Sequence, residues 1–179
     1  MSNEPRPIQL ISIDSEGKCL ITKEAEEFIN SIKSNLAIIC VAGLYRTGKS
    51  YLLNRILNRQ SGFEIGGTIK SCTKGIWIWS ETIKIDNFEC IVIDSEGLGS
   101  AFNDRNQSID MIIFTLSVLL SSYFIYNSLK IIDEAALESL SLVINFSKKL
   151  KGDLGQMDSF LSTFPSLLWV IRDFALDLK

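Results

Sequence analysis

The strongest constraint on the fold lies in residues 36–50. Leu36-Ala-Ile-Ile-Cys-Val-Ala42 is a continuous apolar run that passes directly into Gly43-Leu-Tyr-Arg-Thr-Gly-Lys-Ser50. Leu52, Leu53, Ile56 and Leu57 then recur at helical spacing. The run is short, β-branched and flanked by Ser34-Asn35 and Gly43, so it predicts a strand buried on both faces, and the residues from Ser50 to Asn58 predict a helix. Between them stands a complete GxxxxGK[ST] pattern. Gly43 and Gly48 let such a loop double back, so that successive backbone N–H groups converge on phosphate oxygens at the positive end of the helix. Lys49 then neutralises the β- and γ-phosphates, and the Ser50 hydroxyl becomes a ligand for Mg²⁺.

Around this unit the chain alternates apolar strands with amphipathic helices. Ile8–Ile13 and Cys19–Ile21 read as short strands joined by the turn Asp14-Ser-Glu-Gly17. Thr22 is placed to cap a helix carrying Ala25, Phe28, Ile29 and Ile32 on one face. Thr82–Ile85 and Cys90–Ile93 flank Asp86-Asn87, which predicts a hairpin. The stretch Met111–Tyr126 is only 16 residues long and carries Thr115, Ser117, Ser121 and Ser122. A membrane span needs roughly 20 mostly apolar residues, so the expectation is a buried strand running into further core. A long helix is expected over about residues 130–150, with Leu137, Leu140 and Ile144 on one face, Lys148, Lys149 and Lys151 near its end and Gly152 as its C-cap. Leu167–Ile171 closes the series as another apolar strand. The pattern predicts one α/β domain over residues 1–179, with a doubly wound, mostly parallel sheet.

Composition removes whole classes of chemistry. The chain holds no histidine, which excludes Ser-His-Asp and Cys-His catalysis and any His-ligated zinc. The 18 basic and 21 acidic residues are dispersed, so no block of charge points to nucleic acid. Cys19, Cys40, Cys72 and Cys90 are irregularly spaced without a CxxC pair and read as free, mostly buried thiols of a reducing compartment. With no apolar signal core, myristoylation glycine or prenylation cysteine in the sequence, the expectation is a cytoplasmic chain without a membrane anchor.

A second motif follows the hairpin. Phe88-Glu-Cys-Ile-Val-Ile-Asp94 ends an apolar strand in an acid, and Ser95-Glu96-Gly97-Leu98-Gly99 comes next. An acid at the carboxyl end of such a strand lies beside the phosphate loop, where it holds Mg²⁺ through water. The Gly97 N–H is placed to follow a γ-phosphate.

Four ordered segments, Gly43-Leu-Tyr-Arg-Thr-Gly-Lys-Ser-Tyr-Leu-Leu-Asn54, Thr73-Lys-Gly-Ile-Trp77, Asp94-Ser-Glu-Gly-Leu-Gly99 and Trp169-Val-Ile-Arg-Asp173, resemble the GTPase domain of the guanylate-binding proteins, within the dynamin-like large GTPases. The resemblance runs from about Pro7 to the last residue. It implies a P-loop NTPase that binds GTP and hydrolyses it with Mg²⁺, the metal being held by Ser50, Thr73 and Asp94. Arg46 would be an arginine finger supplied in cis when two G domains form a nucleotide-dependent homodimer. Ser71 would orient the attacking water, and Glu96 would join the water network. Arg172 and Asp173 would form the guanine-reading pair, with the Asp accepting from guanine N1 and N2. The remaining nucleotide contacts would come from Gly43, Leu44, Tyr45, Thr47, Gly48, Lys49, Tyr51, Gly66, Gly67, Gly97 and Leu98. Phosphoryl transfer of this kind needs positioning and charge stabilisation more than a strong base, so the lack of histidine fits it.

The sequence departs from the family in two places. Ser100-Ala-Phe-Asn-Asp-Arg-Asn-Gln107 differs from the usual charged loop, and the sequence ends six residues after Asp173, before the family's guanine cap, last G-domain elements and helical region. The expectation is therefore a G domain incomplete at its C-terminus, with a non-catalytic guanine-nucleotide-binding or interaction module as the alternative function. An ATP-using enzyme is opposed by Asp173, whose carboxylate repels the N1 acceptor of adenine.

Overall fold

The computed structural model describes residues 4–14, 18–44, 46–65, 75–95, 106–132, 134, 136–138, 140, 141, 145 and 164–174. Within them the elements run β1 (Pro7–Ile13), β2 (Cys19–Ile21), α1 (Lys23–Ser31), β3 (Asn35–Ala42), α2 (Lys49–Ile56), β4 (Ile76–Trp79), β5 (Ile83–Ile85), β6 (Phe88–Ser95), α3 (Asn106–Leu120), β7 (Tyr123–Leu129) and β8 (Ser166–Arg172). The strands make one sheet in the order β2-β1-β4-β6-β3-β7-β8, with β5 paired to β6.

The strands β6, β3, β7 and β8 pair in parallel, while β2, β1, β4 and β5 join antiparallel. The fold is α/β as expected, but the sheet is mixed, because the short segments before α1 and after Gly75 return as hairpin-like partners. One edge of β6 is shared: β5 covers Phe88–Cys90 and β4 covers Ile93–Ser95.

Period-2 alternation explains the unbroken apolar runs of the parallel strands. Cys40, Ala42, Ile91, Ile93, Phe124 and Tyr126 pack with Ala25 of α1 and Ile113, Phe114 and Val118 of α3. Val41, Val92 and Ile125 pack on the opposite face with Leu53 of α2, Phe63 and Trp79. Helices therefore cover both faces, as a doubly wound sheet requires. The first residues of β3, Asn35 and Leu36, are exposed, so burial on both faces holds only for its carboxyl half. Cys40 and Cys90 are buried free thiols, and Cys19 is half-buried; Cys72 lies outside the described residues. Burial pushes the Cys40 thiol up to about 12, partly offset by the hydroxyls of Ser117 and Ser121, which leaves it protonated and inert at neutral pH.

Thr22 caps α1 as expected, accepting from the Ala25 N–H. The strand expected over Met111–Tyr126 is corrected: residues 106–120 form α3, and β7 begins only at Tyr123. Apolar side chains nearly all round the helix hide its period, and a continuous apolar run does not distinguish a buried helix from a buried strand. Ser117 donates its hydroxyl to the Ile113 carbonyl at 2.7 Å, and Ser121 donates to Ser117, bonds that only a helix makes. Ser122 ends the helix by giving its N–H to Ile38 and accepting the Ile38 N–H on its hydroxyl.

Described positions between 134 and 145 are helical, as expected. The buried side there is set by Ala136 and Leu140, and Leu137 is 53% exposed instead of facing inward. Ile144, Lys148, Lys149, Lys151 and Gly152 lie outside the described residues.

The helical α3 makes neighbours unequal in a way a strand would not. Phe114 is 1% exposed and meets Phe124 and Tyr126 edge-on at 5.8 and 6.1 Å, whereas Ile112, which would share its face in a strand, is 39% exposed. Phe114→Ala is expected to cost about 3–5 kcal/mol in urea unfolding, and Ile112→Ala about 1 kcal/mol or less. Equal losses would count against the helix.

Candidate functional site: a phosphate loop at the carboxyl edge of the sheet

The parallel strands deliver their carboxyl ends to one edge. Val41 lies beside Asp94, Ala42 beside Tyr126, Asn127 beside Val170 and Leu129 beside Arg172. The chain order reverses at β3, whose partners β6 and β7 come later and on opposite sides. A crevice outside the strand ends is expected at such a point.

The loop from Gly43 to Gly48 fills that position. Gly43 has φ of 143°, and a Cβ there would stand 2.2 Å from the Asn127 carbonyl oxygen. Only glycine allows β7 to approach so closely. Arg46 adopts φ of 60° and is exposed; Gly48, at φ of 83°, is the N-cap of α2 and brings no capping side chain. The first-turn N–H groups of α2 thus face the loop without a side-chain acceptor from the cap, the arrangement that suits an anion.

The charged groups are held inside. Lys49 is only 7% exposed, and its Nζ donates to the Leu44 carbonyl at 3.0 Å. Thr47, also buried, donates its hydroxyl to the same carbonyl at 2.9 Å. From the first turn of α2, Ser50 donates its hydroxyl to Asp94 Oδ2 at 2.7 Å, and Asp94 is buried at the end of β6. Hydroxyl and carboxylate together are hard oxygen donors of the kind Mg²⁺ prefers, beside the place a phosphate would occupy. The residues present therefore fit that ion. Among the described residues no group of three or more His, Cys, Asp or Glu forms a metal cluster.

Of the expected site residues, the structure brings together Gly43, Leu44, Thr47, Gly48, Lys49, Ser50, Asp94 and Arg172. Tyr51 stands on α2 with its ring beneath two cations, Arg55 at 5.0 Å and Arg172 at 5.4 Å. Asp173 is exposed and turns the chain at the end of β8 with φ of 53°. Tyr45, Gly66, Gly67, Ser71, Thr73, Glu96, Gly97 and Leu98 lie outside the described residues.

Two contacts were not anticipated from the sequence. Asn127, fully buried, donates Nδ2 to the Thr47 carbonyl at 2.8 Å. Arg172 Nη1 donates to the carbonyls of Thr47 at 3.2 Å and Gly48 at 3.4 Å. The available signal for Asn127 was an amide at the end of the apolar run Phe124-Ile-Tyr126, where a buried polar side chain requires a partner.

The close approach at Gly43 generates a stability prediction. Gly43→Ala sets a Cβ against backbone and is expected to cost about 2 kcal/mol or more in urea unfolding. Gly48→Ala meets the tip of Arg172, which swings aside, so its cost is expected to be smaller despite the positive φ. The reverse order would show that the loop is not seated on β7.

Comparison with known proteins agrees with this architecture. The profile of the guanylate-binding protein N-terminal domain matches residues 16–179. Human guanylate-binding protein 2 is 37% identical over 185 aligned residues, covering 99% of this chain and 31% of that protein. Human guanylate-binding protein 7 is 38% identical over 183 residues, covering 98% of this chain and 28% of its own length. Mouse guanylate-binding protein 5 is 37% identical over 185 residues, covering 98% and 31%. The chain spans less than a third of the length of these relatives. With the loop, the acid-ended strand and the matched span in agreement, the chain belongs to the guanylate-binding protein family and carries the P-loop NTPase fold of its N-terminal domain.

Proposed function

We propose that this chain binds GTP and hydrolyses it to GDP and phosphate. The observation that carries the reading is the Ser50 hydroxyl set 2.7 Å from Asp94, next in sequence to a buried Lys49 and under a glycine loop. That constellation suits a polyphosphate accompanied by a divalent cation.

In this reading the loop N–H groups and Lys49 hold the β- and γ-phosphates, with Gly66, Gly67, Leu98 and Tyr51 contributing to the nucleotide pocket. Mg²⁺, held by Ser50, Thr73 and Asp94, would neutralise charge on the phosphate oxygens. Ser71 and Glu96 orient the attacking water, and the Gly97 N–H follows the γ-phosphate. Asp173 accepts from guanine N1 and N2. Arg46, exposed on a left-handed turn of the loop, brings positive charge to the transferring phosphoryl group when two G domains meet. The site of action is the cytoplasm, in keeping with the free thiols Cys19, Cys40 and Cys90. No helix among the described residues is long and apolar enough to cross a membrane.

The reading is tested by titrating the purified chain with a fluorescent GTP analogue in Mg²⁺ and competing with GTP and ATP. Displacement by GTP but not ATP is expected, and failure of both would end it. Arg46→Ala is expected to lower turnover by about a thousandfold while affinity stays within a few-fold of wild type. Equal losses would remove the finger role. Binding with no turnover in the unaltered chain would instead favour a guanine-nucleotide-dependent interaction module.

A further inference from the structure

We infer that Asn127 and Arg172 are positioning residues that aim the phosphate-binding N–H groups of the loop, and that Arg172 acts on the phosphate site rather than on the base. The inference rests on the nucleotide reading above and adds to it how the loop is held.

Both side chains converge on one acceptor. Asn127 reaches the Thr47 carbonyl from the end of β7, and Arg172 reaches it from the end of β8. Arg172 also spans to the Gly48 carbonyl, which in addition accepts the Leu52 N–H of α2 at 2.9 Å. In a planar trans peptide the carbonyl of one residue and the N–H of the next point in opposite directions. Fixing the Thr47 carbonyl therefore aims the Gly48 N–H away from β7 and β8, and fixing the Gly48 carbonyl aims the Lys49 N–H. These are the donors that a phosphate loop presents to its ligand.

Three features show that the contacts are built in. Asn127 is fully buried, so its amide orientation is not averaged by solvent. A reversed amide would set its oxygen against the Thr47 oxygen, which fixes the donor toward the loop. A Cβ at Gly48 would stand 2.1 Å from Arg172 Nη1, so this glycine gives the guanidinium access as well as supplying the turn. A Cβ at Gly43 would stand 2.2 Å from the Asn127 main-chain carbonyl oxygen, so that glycine lets the end of β7, which carries Asn127, lie against the loop. The Arg172 guanidinium is further steadied over the Tyr51 ring.

Such a clamp predicts losses that follow phosphate and not base. The experiment compares wild type, Asn127→Ala, Arg172→Ala and Arg172→Gln by displacement of a fluorescent GTP analogue with GTP, ATP and inorganic tripolyphosphate in Mg²⁺. Each variant is expected to weaken GTP and tripolyphosphate alike by about tenfold, the scale of one lost buried hydrogen bond, with the GTP-over-ATP preference kept. Because the two side chains share one acceptor, a variant combining Asn127→Ala with Arg172→Ala is expected to lose less than the product of the single losses. Loss of the GTP-over-ATP preference in Arg172→Ala, with tripolyphosphate unchanged, would make it a base reader and overturn the inference. Wild-type affinities in all variants would also overturn it.

Amide NMR of the nucleotide-free proteins separates this from failure of the nucleotide reading. Shifted or broadened Gly48 and Lys49 signals are expected in the variants, with the Leu53 signal unmoved. Unchanged Gly48 and Lys49 signals would overturn the clamp whether or not wild type binds GTP. If Asn127→Ala does not fold, Arg172→Gln, at a half-buried position, carries the same comparison.

Discussion

The parallel pairing of β3 with β6 on one side and β7 on the other is the constraint on which the site depends. It sets Val41 opposite Asp94 and Ala42 opposite Tyr126, so the acid, the start of the loop and Asn127 arrive at one level. Strand alternation does the rest. Val92 faces α2, and Asp94, two residues on, shares that face, where Ser50 stands at the first turn of the helix. A slip of one residue would present Ser95 there and send Asp94 to the side of α3. In the observed register the Ser95 hydroxyl instead donates to the Val41 carbonyl, tying β6 to β3 just below the loop.

Such an arrangement concentrates polar groups at the inner end of the sheet. Thr47, Lys49, Asp94 and Asn127 are all buried, which would be costly without partners. Their partners are mostly loop carbonyls: Leu44 accepts from Thr47 and Lys49, and Thr47 accepts from Asn127 and Arg172. The Thr47 and Gly48 carbonyl oxygens are thus occupied on the protein side, which points the N–H groups across those two peptides the other way. A buried ammonium gains from nearby negative charge, which is what a polyphosphate brings.

The strand–loop–helix frame of the phosphate loop was legible in the sequence, since the glycine spacing answers a local requirement of the turn. The strand ending in Asp94 and the hairpin at Asp86-Asn87 were legible for the same reason, as local patterns flanked by turn residues. What the sequence concealed were choices made by packing. Residues 111–120 are apolar on nearly every side because α3 lies over the sheet, so neither period stood out. The inward face near residue 136 belongs to alanine, a small residue whose burial depends on how closely the helix approaches. The mixed character of the sheet was hidden too, because β1 and β4 pair across more than sixty residues of chain, and strand direction at that separation has no local signature. The loop contacts of Asn127 and Arg172 are equally distant in sequence, 80 and 125 residues from Thr47.

Arg172 and Asp173 illustrate how one dipeptide serves two directions. In a continuing strand, neighbouring side chains would simply alternate between faces. Here the strand stops at Arg172, and Asp173 takes a left-handed conformation that turns the chain, leaving the arginine half-buried against the loop and the aspartate exposed. The left-handed region is accessible to aspartate at small cost, because its short polar side chain tolerates it. If the exposed carboxylate reads a base, the residue that recognises the nucleotide is covalently next to the one that holds the phosphate loop. The Arg172 guanidinium ties the end of β8 to the Thr47 and Gly48 carbonyls, so the two ends of the site are joined within one dipeptide.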